Sequence, residues 1–427
     1  MTEIGRGLTR RRFLGWAQAA MASVSVGSVL GGGQTALAGA AGAKSEAGEG
    51  EDYYAKLGVL PIINAAGTYT YLTAAVMPSQ VRKAVERAAL HPVRLKDLQR
   101  ASGEYLARKL RCEAALVSSG AAAALTLATA ACVAKANGFK PGEIPERVPG
   151  AKIEVIVQKA HRYEYDHAMT LCGVSIREVV TAEDFKRAVS EKTVMTNFFN
   201  SAEGGQIGRE EWVRLCHDHG VPCHNDAAAD MPPIENLWKL TGMGFDLVCF
   251  SGGKGIRGPQ NAGLLLGRKD LIALAGANDS PQDDAVGRGM KVAKEQIVGM
   301  VAAVDWLLDQ TETTMQAEWI RRVGVIQTAL NKVPTVETHV FVPEVANHVP
   351  HLVIRYDPTV VGMTPAEVAK RLREETPSIE LNPATGTNTR GVHADERSIV
   401  LTTWMLQPGE DRVVAKRLRA ALMGARA

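Results

Sequence analysis

The chain has 427 residues, of which 46% are hydrophobic, 22% are charged and 5% are aromatic. These proportions are typical of a globular protein and exclude a wholly disordered, collagenous or disulfide-scaffold protein. The net charge of +3, from 49 basic and 46 acidic side chains, is too small to indicate a polyanionic partner by itself.

The first 38 residues have the pattern of an export signal. Arg10-Arg11-Arg12 and Phe13-Leu14 precede an uncharged stretch rich in Ala, Ser, Val and Gly, and Ala36-Leu37-Ala38 supplies a small-x-small cleavage pattern. The paired arginines are similar to the twin-arginine type of signal. We therefore expect the twin-arginine (Tat) machinery as a partner and a periplasmic or extracytoplasmic location after folding in the cytoplasm. A membrane anchor is the alternative, but the stretch is too rich in Gly and Ser for a stable span of about 20 apolar residues.

Removal of that segment changes the charge balance. It contains four arginines and one glutamate, so the remaining 389 residues carry 45 basic and 45 acidic side chains. No Lys- or Arg-rich run is left, which predicts that nucleic acid is not a partner. Residues 39–55 are polar and rich in Gly, Ala and Glu, a composition typical of a flexible linker. The six cysteines lack the spacing of a disulfide scaffold, and four of them lie in apolar surroundings where we expect buried thiols.

Short apolar runs alternate with helical patterns through the middle of the chain. This alternation predicts an α/β fold with a mostly parallel, seven-stranded sheet and helices on both of its faces. The predicted strands are residues 114–118, 154–158, 175–180, 193–199, 221–226, 246–250 and 263–267. Helices are predicted from Gly120 to about Lys135 and near 209–219.

The last third of the chain has a different pattern. Residues 291–330 predict a long helix pair, and strand-like runs at 338–342, 350–355 and 398–403 precede a closing helix near 409–422. We therefore predict a large domain at 56–295, including an N-terminal segment. Residues 296–427 are predicted to form the long helices and a smaller α+β domain.

Lys254 lies between glycines in a loop that follows a predicted buried strand, in Phe250-Ser251-Gly252-Gly253-Lys254-Gly255-Ile256-Arg257. A lysine in such a loop is often a solvated turn residue. A desolvated lysine instead has a lowered pKa and can attack an aldehyde. Asp226 ends the preceding strand, where a side chain points into the ligand crevice of an α/β sheet. Asp226 alone is equally suited to cap a helix. Together the two residues form the pair expected of a pyridoxal phosphate enzyme, in which the lysine binds the aldehyde and the carboxylate pairs with the pyridine nitrogen.

Two further segments fit this cofactor. Ser118-Ser119-Gly120-Ala121 forms a strand-to-helix turn whose backbone N–H groups suit a phosphate, although a plain helix cap is an equal alternative. His161 follows the 154–158 strand and could stack on a pyridine ring, although a histidine there is more often a surface residue.

Potential metal ligands are dense in Cys216-His217-Asp218-His219 and Cys223-His224-Asn225-Asp226. The first segment reads as the end of a helix and the second as a buried strand, in which Cys223 faces away from His224 and Asp226. Because the spacing does not match a zinc ribbon or finger, we predict no metal site.

Four segments of the chain resemble a known family. They are Leu60–Thr68, Glu113–Ala123, Phe250–Gly263 with its Gly-Pro-Gln, and Arg288–Lys294. They are similar to the aminotransferase-like pyridoxal-phosphate enzymes of fold type I, in the branch of selenocysteine synthase and D-glucosaminate-6-phosphate ammonia-lyase. The resemblance covers roughly residues 55–425.

The resemblance implies a role for each matching residue. Lys254 would bind the cofactor covalently, Asp226 would pair with the pyridine nitrogen and His161 would stack on the ring. Ser118, Ser119, Gly120 and Ala121, together with Ser251, would hold the phosphate, and Asn200 or Gln206 would reach the phenolic oxygen. Arg257, Arg288 and Lys291 are candidate ligands for a substrate anion. Because family members assemble the site between subunits, a homodimer or higher homo-oligomer is expected.

The implied function is a pyridoxal-phosphate-dependent lyase that removes a Cα proton and then eliminates a β-substituent from an amino acid or amino-sugar acid. The alternatives are an amino-acid racemase or a β-replacement enzyme like the selenium transferase, and, in another class, a cofactor-binding protein without turnover. Transfer of selenium to tRNA is disfavoured, because a neutral exported chain has neither the charge nor the location for tRNA.

Overall fold

The computed structural model describes residues 51–144, 150–200, 205–344, 346–389 and 392–424. The predicted signal peptide at 1–38 and most of the predicted linker lie outside these ranges. Residues 51–59 belong to a separate unit, in which Tyr53–Leu57 forms a short helix, α1. Asp52 caps its first turn by accepting hydrogen bonds from the backbone N–H groups of Tyr54 and Ala55, so the last residues of the predicted linker are helical.

The second unit, residues 60–427, is built on a seven-stranded sheet within the described residues. Its strands are β2 (Ala114–Ser118), β3 (Glu154–Gln158), β4 (Ser175–Val179), β5 (Thr193–Phe199), β6 (Cys223–Asp226), β7 (Leu247–Ser251) and β8 (Gly263–Gly267). Their spatial order is β2-β8-β7-β6-β5-β3-β4. All neighbouring strands are parallel except β8, which runs antiparallel to β2 and β7. The predicted sheet is confirmed.

Helices cover both faces of this sheet, because its strands are apolar on both sides. The helix after Gly120, α4, is buried from Ala123 to Ala134 and packs on one face in a core that includes Leu265. The opposite core includes Trp212 and Met300. The helices of this part are α2 (Ser79–Ala89), α3 (Leu95–Leu110), α4 (Ala121–Asn137), α5 (His167–Thr170), α6 (Ala182–Ala188), α7 (Arg209–Asp218), α8 (Asn236–Met243), α9 (Lys269–Ala277) and α10 (Lys294–Leu308).

The remaining elements form a smaller core around two small sheets. Strands β9 (Glu337–Phe341), β10 (His351–Arg355) and β12 (Ser398–Thr402) form an antiparallel sheet, and β1 (Ile62–Ala65) pairs in parallel with β11 (Ser378–Leu381). The helices are α11 (Glu312–Leu330), α12 (Pro358–Val361), α13 (Pro365–Glu374) and α14 (Glu410–Leu422).

The division between the two cores differs from the predicted boundary at 295/296. Helix α10 buries Ile297 and Met300 in the core of the large sheet, whereas α11 buries Val323 in the smaller core. The division therefore falls between these two helices. Ile63 of the N-terminal segment also lies in the smaller core, because β1 pairs with a strand more than 300 residues away.

The six cysteines are free thiols, and five of them are buried, one more than expected from the sequence. Among the described residues, no helix combines the length and hydrophobicity that crossing a membrane requires.

Candidate active site

The predicted site residues meet at one edge of the central sheet, where β2, β5, β6 and β7 all end. Asp226 is in register with Phe199 on one neighbouring strand and with Cys249 on the other. Ser118 and Ser251 both pair with Gly263 of the intervening strand. The parallel topology therefore brings together residues that are more than 100 positions apart in the sequence.

Lys254 lies in the loop between β7 and β8 and is largely buried. Hydrogen bonds from Gly252 N to Ala262 O and from Gly258 N to Gly252 O close this loop. A Cβ atom at Gly255 would lie 2.1 Å from the carbonyl oxygen of Met231, so the residue after the lysine has to be glycine. Burial lowers the pKa of Lys254, while the nearby carboxylates of Asp226 and Asp230 raise it. Burial prevails, so the pKa of Lys254 lies below that of an exposed lysine and the neutral, nucleophilic amine is easier to form.

Asp226 is buried at the end of β6 and is held by three donors. Its Oδ1 accepts hydrogen bonds from the backbone N–H of Ala228 at 3.0 Å and from the thiol of Cys249 at 3.5 Å. Its Oδ2 accepts the phenol proton of Tyr163. Burial and the adjacent Asp226 charge raise the pKa of Tyr163, so the phenol remains a donor.

Tyr163, to which the sequence reasoning assigned no role, is therefore the aromatic residue in contact with this carboxylate. Its ring stacks on Phe199 with centroids 4.2 Å apart. The predicted stacking residue, His161, lies in the same segment and packs edge-on against Phe198 at 4.5 Å. Burial lowers the pKa of His161 to about 4, so its ring is neutral. A cofactor-stacking role for His161 remains a prediction.

The turn after β2 has the form expected of a phosphate site. Gly120 precedes helix α4 with φ of 120°, a conformation that L side chains rarely adopt. The first turn of α4 has no side-chain cap, so its backbone N–H groups remain free to bind an anion. Ser118 is fully buried and donates a hydrogen bond to Gly120 O. It therefore shapes the turn, whereas Ser119, Gly120 and Ala121 are more accessible.

Asn200 follows β5 and is buried against Asn225, whose Oδ1 accepts a hydrogen bond from Asn200 Nδ2 at 3.1 Å. It also interacts with Asp230, whose pKa burial raises to about 6. Gln206, the alternative to Asn200, is exposed. Of these two residues, the structure places Asn200 in the buried network around Lys254 and Asp226.

A cavity of about 240 Å³ opens beside Lys254. Much of its wall comes from the smaller core, including Asn347, His351, Asn382, Thr402 and Trp404. Sequence reasoning missed this wall, because nothing in the pattern of the C-terminal third indicates that it faces a loop about 100 residues earlier. Lys254 is the sole charged side chain among the described residues that line the cavity.

The three predicted anion ligands lie elsewhere. Arg257 has φ of 57° and borders a second cavity of about 340 Å³, where it donates to the carbonyl of Trp404. Burial and the nearby Arg322 lower its pKa to about 10. Arg288 is exposed and lies 3.5 Å from Asp283, and Lys291 is exposed as well. Trp404 lines both cavities, whereas Arg288 and Lys291 are not among the described residues that line either of them.

These groups fit pyridoxal 5'-phosphate. A desolvated lysine suits its aldehyde, a buried carboxylate suits its pyridine nitrogen, and a glycine turn at an uncapped helix N-terminus suits its phosphate. The fold and this set of residues define a pyridoxal 5'-phosphate-dependent enzyme of the aminotransferase-like fold.

Comparison with known proteins assigns the family. Residues 62–333 match SelA, the L-seryl-tRNA selenium transferase family, and the chain belongs to that family. It is 29% identical over 343 residues to 5'-C-glycyluridine monooxygenase-decarboxylase of a Streptomyces species, covering 77% of this chain and 83% of that protein. It is 27% identical over 332 residues to D-glucosaminate-6-phosphate ammonia lyase of Salmonella typhimurium, covering 75% and 86% respectively. A solved structure of D-glucosaminate-6-phosphate ammonia-lyase superposes with a TM-score of 0.73 at 24% identity, over 88% of this chain and 99% of that one.

Proposed function

We propose that the protein is a pyridoxal 5'-phosphate-dependent ammonia lyase acting on a hydroxylated amino acid or amino-sugar acid. The observation that carries the proposal is the buried Lys254 amine, which lies within electrostatic reach of Asp226 and lines a cavity with otherwise uncharged walls. The relative that is an ammonia lyase covers three quarters of the chain, which supports this reaction class.

Lys254 has two tasks in this reaction. Its neutral amine binds the cofactor aldehyde, and once a substrate amine has displaced it, the same group is available as a base for the Cα proton. The lowered pKa favours the free amine required for both tasks. When bound, the cofactor supplies an electron sink for the charge that proton removal leaves on Cα.

Asp226 supports this chemistry through the pyridine nitrogen of the cofactor. Its carboxylate keeps a proton on the pyridine nitrogen, since a buried negative charge stabilises an adjacent N–H⁺ group. The three donors that contact Asp226 hold its two oxygens in place. At the opposite end of the site, we propose that Ser119, Gly120, Ala121 and Ser251 hold the phosphate.

The elimination balances without any further reactant. The Cα–H electrons form a double bond to Cβ, and the β-hydroxyl leaves with its bonding electrons and a proton as water. Return of the Lys254 amine to the cofactor aldehyde carbon would then displace the product as an enamine, which becomes an imine, and one water would hydrolyse the imine to a keto acid and ammonia.

The wall of the cavity indicates the substrate chemistry. Asn347 Oδ1 and Thr402 Oγ1 are buried and have no hydrogen-bond partner among the described residues. His351 is neutral, because burial lowers its pKa, and its Nδ1–H donates to Val349 O at 2.9 Å, which leaves the other ring nitrogen as an acceptor. Neutral acceptors and a hydroxyl suit substrate hydroxyl groups better than a second anion.

Charged contacts to the substrate would come from three residues. We propose that Arg257 binds an anionic end that extends past Trp404. We also propose that Arg288 and Lys291 act in a neighbouring subunit of a homodimer or higher homo-oligomer. Mixing inactive Lys254→Ala with inactive Arg288→Ala tests this arrangement, because mixed oligomers should recover part of the activity if Arg288 serves a neighbour's site. No recovery would contradict shared sites.

The decisive experiment is a screen of L- and D-amino acids and amino-sugar acids, with keto acid and ammonia as the products measured. Release of both in equal amounts supports the lyase, and Thr402→Val should then raise KM about 5–10-fold for the hydroxylated substrate.

Loss of optical activity without keto acid would identify a racemase. Product formation only with an added nucleophile would identify a β-replacement enzyme. Tight cofactor binding with no reaction would favour a binding protein.

A second reaction is also favoured by a specific relative. The 29% identical Streptomyces protein is a monooxygenase-decarboxylase, and an electron sink at Cα supports loss of the carboxylate as well as loss of the proton. In that case the screen would show carbon dioxide release with consumption of oxygen. Ammonia and keto acid without oxygen consumption would therefore indicate the lyase, whereas carbon dioxide with oxygen consumption would indicate the second reaction.

We further propose that the protein is exported through the twin-arginine route, as its first 38 residues predict. A phosphate cofactor held by a reversible bond to Lys254 is loaded where it is made, so folding before transport suits this enzyme. Replacement of Arg10-Arg11 by Lys-Lys should retain the precursor in the cytoplasm. Unchanged export of that variant would contradict the route.

A further inference from the structure

The edge of the central sheet opposite to Lys254 carries a second group of chemically active side chains. His217 lies in the last turn of α7, Cys223 begins β6, and Asp246 directly precedes β7. One ligand atom from each residue lies within 4.8 Å of the other two. Cys223 and Asp246 are buried and His217 is exposed.

We propose that His217, Cys223 and Asp246 form a binding site for a divalent, borderline-soft transition metal ion such as Zn²⁺. One thiolate, one imidazole and one carboxylate are ligands that this class of ion accepts together. The expectation of no metal site rested on the spacing of 216–219 and 223–226. It omitted Asp246, which the sheet brings in from the next strand.

The distances are close to those of a tetrahedral site. Cys223 Sγ lies 3.4 Å from Asp246 Oδ2. Two ligands bound to one tetrahedral Zn²⁺ at the usual Zn–S and Zn–O lengths lie roughly 3.6 Å apart. The thiol and the carboxylate are therefore nearly in place, and a ring nitrogen of the exposed His217 lies within 4.8 Å of both as the third ligand.

The carboxylate is held in position by neighbours that do not belong to the ligand set. Asp246 Oδ1 accepts a hydrogen bond from Arg268 at 2.9 Å, and Oδ2 accepts one from the backbone N–H of Cys223 at 2.8 Å. Such outer contacts orient metal ligands and limit their motion. A dication, a thiolate and a carboxylate are together neutral, and the charge of Arg268 is offset by its ion pair with Asp270 at 2.8 Å.

An entry path leads to the site from solvent. A cavity of about 260 Å³ is lined by His217, Asp246 and Arg268, among other residues. Binding converts the Cys223 thiol to a thiolate, and its proton passes to solvent through this opening. The fourth position on the metal would then be taken by water from the cavity or by Cys216, whose thiol interacts with Cys223.

The proposed metal would link the end of a helix to the first residues of two adjacent strands. Those strands carry Asp226 and the loop with Lys254 at their other ends. The expected consequence is stability of the sheet, because an ion that binds only the folded state shifts the unfolding equilibrium.

Titration of the holoenzyme with Co²⁺, a spectroscopic substitute for Zn²⁺, tests the proposal. We expect one Co²⁺ per chain, a thiolate-to-cobalt charge-transfer band, and displacement of the Co²⁺ by Zn²⁺. Zn²⁺ should also raise Tm by roughly 3 °C. Cys223→Ser and His217→Ala should each weaken binding at least about 100-fold and abolish the band or reduce it strongly. The matched controls Cys132→Ala and His219→Ala should bind as the unmodified protein does.

Three results would overturn the proposal. They are the absence of any thiolate–cobalt band, binding that survives in both Cys223→Ser and His217→Ala, and a disulfide between Cys216 and Cys223 in the protein as purified. Because Co²⁺ absorbance and Zn²⁺ stabilisation do not depend on turnover, neither readout depends on the lyase activity.

Discussion

The two edges of the central sheet use similar side chains in opposite ways. At the edge where the parallel strands end, Lys254 and Asp226 lie within electrostatic reach of each other, and Lys254 lines a cavity of about 240 Å³. At the opposite edge, Asp246 is also buried, but it forms an ion pair with Arg268 at 2.9 Å, whereas the donors that contact Asp226 are uncharged groups. A buried charge thus supports reactivity where it borders a cavity, and stability where it is paired. Variants at the first edge should therefore reduce the rate, and variants at the second should reduce the free energy of unfolding.

The largest effect is expected for Lys254→Ala. Without the amine, neither covalent attachment of the cofactor nor proton removal is possible, and kcat should fall on the order of 10⁴-fold. The visible absorbance of the lysine-bound cofactor should disappear while the fold remains intact by circular dichroism. Lys239→Ala is a matched control, since Lys239 lies on the surface in an ion pair with Glu235. Comparable losses in both variants would contradict a specific role for Lys254.

The next largest effect is expected for Asp226→Asn. The amide oxygen can still accept the hydrogen bond from Tyr163 or the one from Ala228, but the charge that keeps the pyridine nitrogen protonated is lost. We expect kcat to fall about 10²–10³-fold with little change in Tm. Steady-state kinetics measures the change in kcat, and thermal unfolding measures the change in Tm. A large drop in Tm with unchanged kcat would mean that Asp226 stabilises the fold, as is expected of Asp246, and does not support the reaction.

At the opposite edge, Asp246→Asn should reduce the free energy of unfolding by about 2 kcal/mol, because it breaks a partly buried pair and leaves Arg268 without its full counter-charge. Urea unfolding of the cofactor-loaded protein measures this loss. Asp283→Asn is a suitable control, since Asp283 is almost fully exposed beside Arg288 and should cost little. An Asp246→Asn protein as stable as the control would remove the contrast between the two edges.

A smaller effect is expected for Tyr163→Phe. The variant keeps the ring that stacks on Phe199 and removes only the hydrogen bond to Asp226. Cofactor affinity should fall about 3–10-fold, as measured by equilibrium titration of the apoenzyme. Tyr165→Phe is the control, because Tyr165 is exposed. An increase in affinity would mean that Tyr163 competes with the cofactor for this carboxylate.

The smallest effect is a shift in the pH dependence of cofactor attachment. Attachment requires the neutral Lys254 amine, so its rate should rise with pH, with a midpoint below the ordinary lysine pKa of 10.5. The charge on Asp230 raises the pKa of Lys254, so Asp230→Asn should move the midpoint to lower pH. Stopped-flow absorbance of the apoenzyme mixed with cofactor measures this midpoint. A shift to higher pH would have the wrong sign for this electrostatic account.

The sequence predicted the central sheet well for a simple physical reason. Buried strands are short continuous apolar runs, such as Val155-Ile156-Val157 of β3 and Leu264-Leu265-Leu266 of β8, and helical patterns or turns separate them. The segments that carry Ser119, Asp226 and Lys254 were recognisable because each directly follows one of these runs. Parallel topology then places such residues at a common edge.

The sequence could not predict contacts that depend on packing between distant segments. The pairing of Ile62–Ala65 with Ser378–Leu381 has no local signal, since both strands have only four residues. The cavity wall formed by Asn347, His351 and Thr402 depends on how the smaller core sits on the sheet. Cys223 and Asp246 come together for a similar reason, because two adjacent strands begin at the same edge.

The central claim is that Lys254 is the residue that binds the cofactor. Borohydride reduction of the enzyme loaded with pyridoxal 5'-phosphate, followed by proteolysis and mass spectrometry, tests it most directly. One phosphopyridoxyl group per chain is expected, on the peptide that contains Lys254. A label on another lysine, or no label on a chain saturated with the cofactor, would contradict the claim.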